Sequence, residues 1–172
     1  SKDVRLARAS MPLDEKKLTE AKEEFKRILT HAELEKSVTT QTLHTLSAIE
    51  LELGNLAEAE TYILSLLKTL DAEDNPNSAY ISLAQIALQR NDKSAADAWL
   101  AKIPEAHEDS AGNKLTKTSA EQRKLWFGVQ MRRALIMASD VRHTAARQFL
   151  QTIPAQTESE EMRIVQTEAQ IM

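Results

Sequence analysis

The side chains able to carry acid–base, metal or nucleophilic chemistry stand far apart. His31, His44, His107 and His143 are the four histidines. No two fall at the i, i+4 spacing that sets a pair of zinc ligands on one helical face, and none sits in an H-E-x-x-H arrangement. Cysteine is absent, which removes thiolate ligands, disulfides and a thiol nucleophile together. With three glycines in 172 residues, the chain has neither the G-x-S-x-G elbow of a serine hydrolase nor a glycine-rich loop whose amides cradle phosphate. The stretch Asp71-Ala72-Glu73-Asp74-Asn75-Pro76-Asn77 is rich in oxygen ligands, but it lacks the central glycine and the distal bidentate glutamate of a calcium loop. Its Asp, Asn and Pro are turn residues, so it reads as a connection between helical units. Glu50 with Glu52, Glu58 with Glu60 and Glu160 with Glu161 read as exposed helix charges, without the contrasting environments that divide two carboxyls into an acid and a base. The expectation is a non-enzymatic chain with no catalytic residue, no cofactor and no metal site.

Charge supplies the strongest rival reading. The chain carries a net charge of −4, yet between Asn113 and Arg147 the basic residues Lys114, Lys117, Arg123, Lys124, Arg132, Arg133, Arg142 and Arg147 face only Glu121 and Asp140. With Trp126 and Phe127 among them, this stretch has the makings of a nucleic-acid surface, because clustered cations contact phosphates and rings stack on bases. Against that, the rest of the molecule is acidic and repels phosphate, arginine stems cover neighbouring helices, and Trp126 and Phe127 are residues that more often fill a core. An acidic protein partner, or an acidic neighbouring repeat, suits the stretch better than nucleic acid. No apolar run approaches the roughly 20 residues needed to span a bilayer, so direct membrane insertion is not expected.

The elements that must position these residues are helices. Hydrophobic residues make up 42% and charged residues 28% of the chain, which fits a globular protein and neither a disordered nor a membrane-embedded one. Three glycines and four prolines are too few for the turns of a sandwich or barrel, whereas Ala, Leu, Glu, Lys and Gln, the strong helix formers, dominate. Internal similarity organises them. Ser94 to Pro104 returns as Thr144 to Pro154, with Ala96, Leu100 and Ile103 matching Ala146, Leu150 and Ile153. A looser copy puts Ala59 in the same register. Each copy follows another helical stretch across a turn: Leu43, Leu46, Ile49 and Leu53 before Gly54-Asn55, then Tyr80, Leu83, Ile86 and Ala87 before Asn91-Asp92. The third stretch, with Trp126, Met131, Ala134, Leu135 and Met137, precedes a turn near Ser139-Asp140. Glycine and asparagine are the residues that end helices in a left-handed conformation, and Pro104 and Pro154 stop the second helix of their units. The units run about 37–71, 75–104 and 119–154, with an inserted loop at 105–118 and a truncated unit at 158–172. Residues 1–36 form an N-terminal helical segment, a degenerate repeat in which Ser10 and Pro12 favour a helix from about Leu13. Because the last unit stops before its turn, further repeats are expected after Met172, and the chain reads as a fragment of a longer protein.

This pattern resembles the tetratricopeptide repeat family, whose unit is a two-helix hairpin of about 34 residues. The small residue of the family's first helix is matched by Ser47, Ala84, Ala134 and Ala169, and that of the second by Ala59, Ala96 and Ala146. The family's tryptophan is represented only by Tyr80, its turn glycine only by Gly54, and its closing proline by the early Pro104 and Pro154. The resemblance implies an all-α fold, antiparallel helical hairpins stacked as a right-handed α-solenoid. It also implies a scaffold that binds another protein or an extended peptide along a concave face lined by first helices. Carried over position by position, that face comprises Gln41, His44, Thr45 and Ala48, then Ser78, Ile81, Ser82, Gln85 and Gln89, then Met131, Arg132 and Leu135, and finally Arg163, Gln166 and Gln170. The Lys and Asn set with which some members clamp a C-terminal carboxylate is missing, so the expected ligand is a segment held by Gln and Ser/Thr hydrogen bonds with two arginine contacts. The chain looks similar to bacterial envelope-associated repeat proteins, which implies periplasm or envelope over cytoplasm. The alternatives are nucleic-acid binding through residues 113–147 and a structural arm of a larger enzyme.

Overall fold

The computed structural model describes residues 15–31, 34–106 and 119–172. Among the described residues there are eight α-helices and no strand: α1 (Glu15–Leu29), α2 (Lys36–Glu52), α3 (Leu56–Thr69), α4 (Asn77–Gln89), α5 (Lys93–Leu100), α6 (Ser119–Ser139), α7 (His143–Gln151) and α8 (Glu158–Ile171). None of these helices is long and apolar enough to cross a membrane. The chain divides into two units, Ser1–Ser82 and Leu83–Met172, the boundary falling inside α4. Most of the expected loop, from His107 to Thr118, lies outside the described residues, as does everything before Glu15.

The turns carry the repeat most clearly. Gly54, Asn91 and Val141 all have positive φ, at 77°, 59° and 60°, and each stands five residues before the small residue, Ala59, Ala96 or Ala146, that opens the following helix. At each turn the left-handed residue donates its N–H to the carbonyl three residues back (Leu51, Leu88, Ala138) and the next residue donates to the carbonyl five back (Glu50, Ala87, Met137). This paired pattern satisfies two carbonyls that a helix end leaves without partners. Glycine adopts the conformation freely and asparagine tolerates it, but a β-branched valine does not. The third turn is therefore made against the local preference of its sequence.

In the first unit α1 and α3 both pack on α2. Ala59, Ile63 and Leu66 recur at i, i+4 and i+7 and are all buried, the one-sided stripe an amphipathic helix presents to a core. Ser47 is the small residue opposite, and its Oγ donates to the Ala59 carbonyl at 2.9 Å; only a close approach of the two backbones permits that contact. Phe25 of α1 joins Leu46 and Ile49 in one cluster with Leu18, Ala21 and Tyr62 around it. Burying each such side chain is worth about 1.5–3 kcal/mol. Glu50 corrects the sequence reading: it is fully buried, not an exposed helix charge. Lys22 Nζ lies 2.8 Å from its Oε1, and Asn55 Nδ2 donates to its Oε2 at 2.8 Å, so the carboxylate ties α1 to the α2–α3 turn. The 71–77 connection is an inter-helix loop as expected; Lys36 pairs there with both Asp71 and Asp74.

In the second unit α6 is central and packs against α5, α7 and α8. Its apolar residues fall on two sides. Phe127, Met131, Ala134 and Ala138 join Ala146, Leu150, Ile153 and Ile171 in one core. On the other side Gln122, Val129 and Ile136 are buried, along the row that carries Arg133, whose Nε donates to Asp97 of α5 at 2.7 Å. Facing Ala134 and Ala146 are both completely buried, which lets the paired helices close up as Ser47 and Ala59 do. Thr157 caps α8 by accepting from the Glu160 N–H at 3.2 Å, and Glu160 in turn accepts from the Gln156 N–H at 2.7 Å, a reciprocal arrangement close to a capping box.

Candidate protein-binding faces

The expected groove residues fall on exposed helix faces, with one exception. On α2, Gln41, His44 and Ala48 are exposed and Thr45 is half-buried, a spacing that sets all four on one side of the helix. On α4, Ser78 is exposed, with Ile81 and Ser82 half-buried beside it in the first unit, while Gln85 and Gln89 are exposed in the second. On α6 and α8 the exposed members are Arg132, Leu135, Arg163, Gln166 and Gln170. Met131 is the correction. It is 4% exposed and belongs to the Phe127–Ala134–Ile171 core, where the Thr167 hydroxyl lies 3.5 Å from its Sδ. Positions 127, 131, 134 and 138 form one helical stripe, and because both α7 and α8 pack on α6, that stripe faces inward.

The adjoining faces of α6 and α8 form a recess. A cavity of about 370 Å³ is lined by Arg123, Lys124, Phe127, Thr157, Glu160 and Arg163, among others. The Arg163 guanidinium lies over the Phe127 ring, 5.4 Å from its centroid, beside Gly128, where a Cβ would come no nearer than 3.9 Å to its Nη2. At the back of the cavity Arg123 is 12% exposed and pairs with Glu160 at 3.0 Å. It also pairs with Glu105 and donates to the Pro154 carbonyl, with its plane 4.9 Å from the Trp126 ring centroid. The Arg123 guanidinium holds the Glu160 carboxyl below the usual glutamate range. Glu160 therefore stays ionised and neutralises Arg123. Lys124 and Arg163 make no ion pair within 4 Å among the described residues, though the charge of Arg163 also favours the ionised Glu160.

Among the described residues, most cations of the basic stretch stand in ion pairs. Lys114 and Lys117 lie outside the described residues. Arg123 and Arg133 are largely buried in ion pairs with Glu160 and Asp97, and Arg133 also stacks on Phe149 at 4.9 Å. Arg142 pairs with Asp140 and Arg147 with Glu168. Of the eight cations expected to meet phosphate, Lys124 and Arg132 are the described ones without an acidic partner. Phe127 is 1% exposed and fills the core, where it cannot stack on a base. Three of these partners, Asp97, Glu160 and Glu168, lie outside the stretch, on other helices, and a count of charges within it does not include them.

Histidine plays no concerted part. His31 and His44 are exposed, His143 Nδ1 lies 3.1 Å from the Ile171 carbonyl, and His107 lies outside the described residues. Among the described residues no group of His, Asp and Glu is placed to hold a metal ion. Thr157 and Glu160, absent from the expected site, border the cavity through the T-x-x-E pattern at the start of α8, a signal readable in the sequence. These features define an all-helical chain of consecutive helix–turn–helix units with polar exposed faces. No protein-family model, curated protein or solved structure matches it.

Proposed function

We propose that the chain is a non-catalytic protein-binding scaffold of the tetratricopeptide type, and that the second unit holds an extended peptide segment on the adjoining faces of α6 and α8. The observation that carries this reading is the recess in which the Arg163 guanidinium lies over Phe127 and Lys124 stands at the rim without an ion pair among the described residues, with Arg132, Gln166 and Gln170 exposed on the same two helices. Glutamine side chains offer donors and acceptors to a peptide backbone in either direction, and an arginine fork donates to a carboxylate side chain or terminus. The ligand is therefore an extended segment with at least one acidic residue.

The test is selection of a displayed random-peptide library on the intact chain, followed by affinity measurement. Selected peptides should contain Asp or Glu and lose at least about tenfold in affinity on Arg163→Glu, with a further loss on Gln166→Ala. Peptides that bind equally well to both variants would overturn the assignment.

A further inference from the structure

We infer that Arg123 is a positioning residue for the recess: it holds the Glu160 carboxylate away from Arg163, so that the Arg163 guanidinium stays open to the carboxylate of the ligand. This role rests on the acidic-peptide reading of the recess. Arg123 does not itself meet the ligand, because its Nε, Nη1 and Nη2 all donate within the protein. Glu160 and Arg163 stand three residues apart on α8, a spacing at which opposite charges meet on one side of a helix. Both line the recess, and the Arg163 charge is one of the influences that keep Glu160 ionised. An ion pair between the two is the local default.

That pair is not made, and Arg123 supplies the reason. Its Nη2 donates to Glu160 Oε2 at 3.0 Å and its Nε to Oε1 at 3.4 Å, a fork that engages both carboxylate oxygens. The Gln156 N–H donates to Oε2 as well, at 2.7 Å. The fork is fixed in its turn. Glu105 pairs with Nη1, and the Pro154 carbonyl accepts from Nη2. The guanidinium lies against the rings of Trp126 and Phe127, 4.9 and 5.9 Å from their centroids. Phe127 therefore has an arginine closed on internal acids and a second, Arg163, lying over its ring with no acid on it.

Without Arg123 the Glu160 carboxylate loses its cation and turns to Arg163, where it competes with the ligand as a carboxylate already tethered to the site. It also repels the ligand's own acid. Removing Glu160 has the opposite consequence: no internal acid is left to capture Arg163, and Arg123 gains positive charge facing the recess. A bridge that merely fastened α8 to α6 would behave otherwise, since losing either partner would then harm the recess alike.

The test compares the full chain with Arg123→Gln, Arg123→Lys, Glu160→Gln and the double variant Arg123→Gln with Glu160→Gln. The first readout needs no ligand. In protein carrying ¹³C-labelled arginine, the δ-methylene signal that vanishes in Arg163→Lys is displaced by the Phe127 ring current. It should move toward the ordinary arginine position in Arg123→Gln and return in the double variant. The second readout is affinity for an acidic peptide selected from the displayed library. Arg123→Gln should bind it at least about fivefold more weakly than the parent. Arg123→Lys should lose less, because an ammonium still neutralises Glu160 through one contact in place of two. Glu160→Gln should bind no more weakly than the parent, and the double variant should recover most of the loss. An Arg163 signal indifferent to Arg123→Gln, a Glu160→Gln variant as weak as Arg123→Gln, or a double variant no better than Arg123→Gln would each overturn the assignment. A library that yields no peptide sensitive to Arg163→Glu ends the peptide-binding reading instead, and the arginine signal still decides whether Arg123 keeps Glu160 from Arg163.

Discussion

Replacing Val141 with glycine should stabilise the protein, although it removes a side chain. Val141 holds φ at 60° and is 85% exposed, so its methyls contribute almost no burial. An L-residue with a Cβ is penalised by roughly 1–2 kcal/mol in the left-handed region, and glycine costs roughly 0.5–1 kcal/mol more in chain entropy on folding. The balance is a gain of about 1 kcal/mol, a rise in melting temperature of roughly 2–8 °C depending on the size of the cooperative unit. The mirror experiment is Gly54→Val. At φ 77° a Cβ there meets nothing within 4 Å, so its cost is purely that of the backbone and should match or exceed the gain at Val141. Both are read from the urea midpoint by far-ultraviolet circular dichroism, with an unchanged m-value showing that native stability alone has moved. A lower or unchanged midpoint for Val141→Gly would show that the turn before α7 does not repeat the geometry of the turn before α3.

Lys22→Met should cost about 3 kcal/mol, because it leaves the fully buried Glu50 carboxylate without its cation. Adding Glu50→Gln should recover much of that loss, and a double variant as unstable as the sum of the singles would refute the coupling. The Glu160 carboxyl, held below its usual range by Arg123, contributes stability that is present above its unfolded-state pKa and disappears as pH falls through the lower folded value. The melting temperature of Glu160→Gln should therefore fall less steeply than that of the parent at pH values below the ordinary glutamate range, and parallel curves would refute this.

Much of the architecture is written locally. Gly54-Asn55, Asn91-Asp92, Pro104 and Pro154 mark helix ends by their own backbone preferences, and the recurrence of Ala59, Ala96 and Ala146 sets the register of the pairs. Those are the features that the helices and turns reproduce. The candidate faces were legible to the extent that helical spacing assigns residues to sides. Gln41, His44, Arg163 and Gln166 are exposed as expected, whereas Met131 is not, because spacing alone cannot tell how many neighbours a central helix has.

The fate of the charges and of the strained turn was settled by packing between distant segments. Glu50 is buried because α1 brings Lys22 to it across 28 residues of sequence. Arg133 is neutralised by Asp97 across 36 residues and Arg123 by Glu160 across 37. Val141 occupies a conformation its side chain disfavours because the helices on either side of it are held together by their buried faces. Turn preference and helical periodicity depend on neighbours along the chain and can be read there. Ion pairing, burial of a carboxylate and tolerated strain depend on which surfaces meet in space, and the free energy that settles them belongs to the packed core.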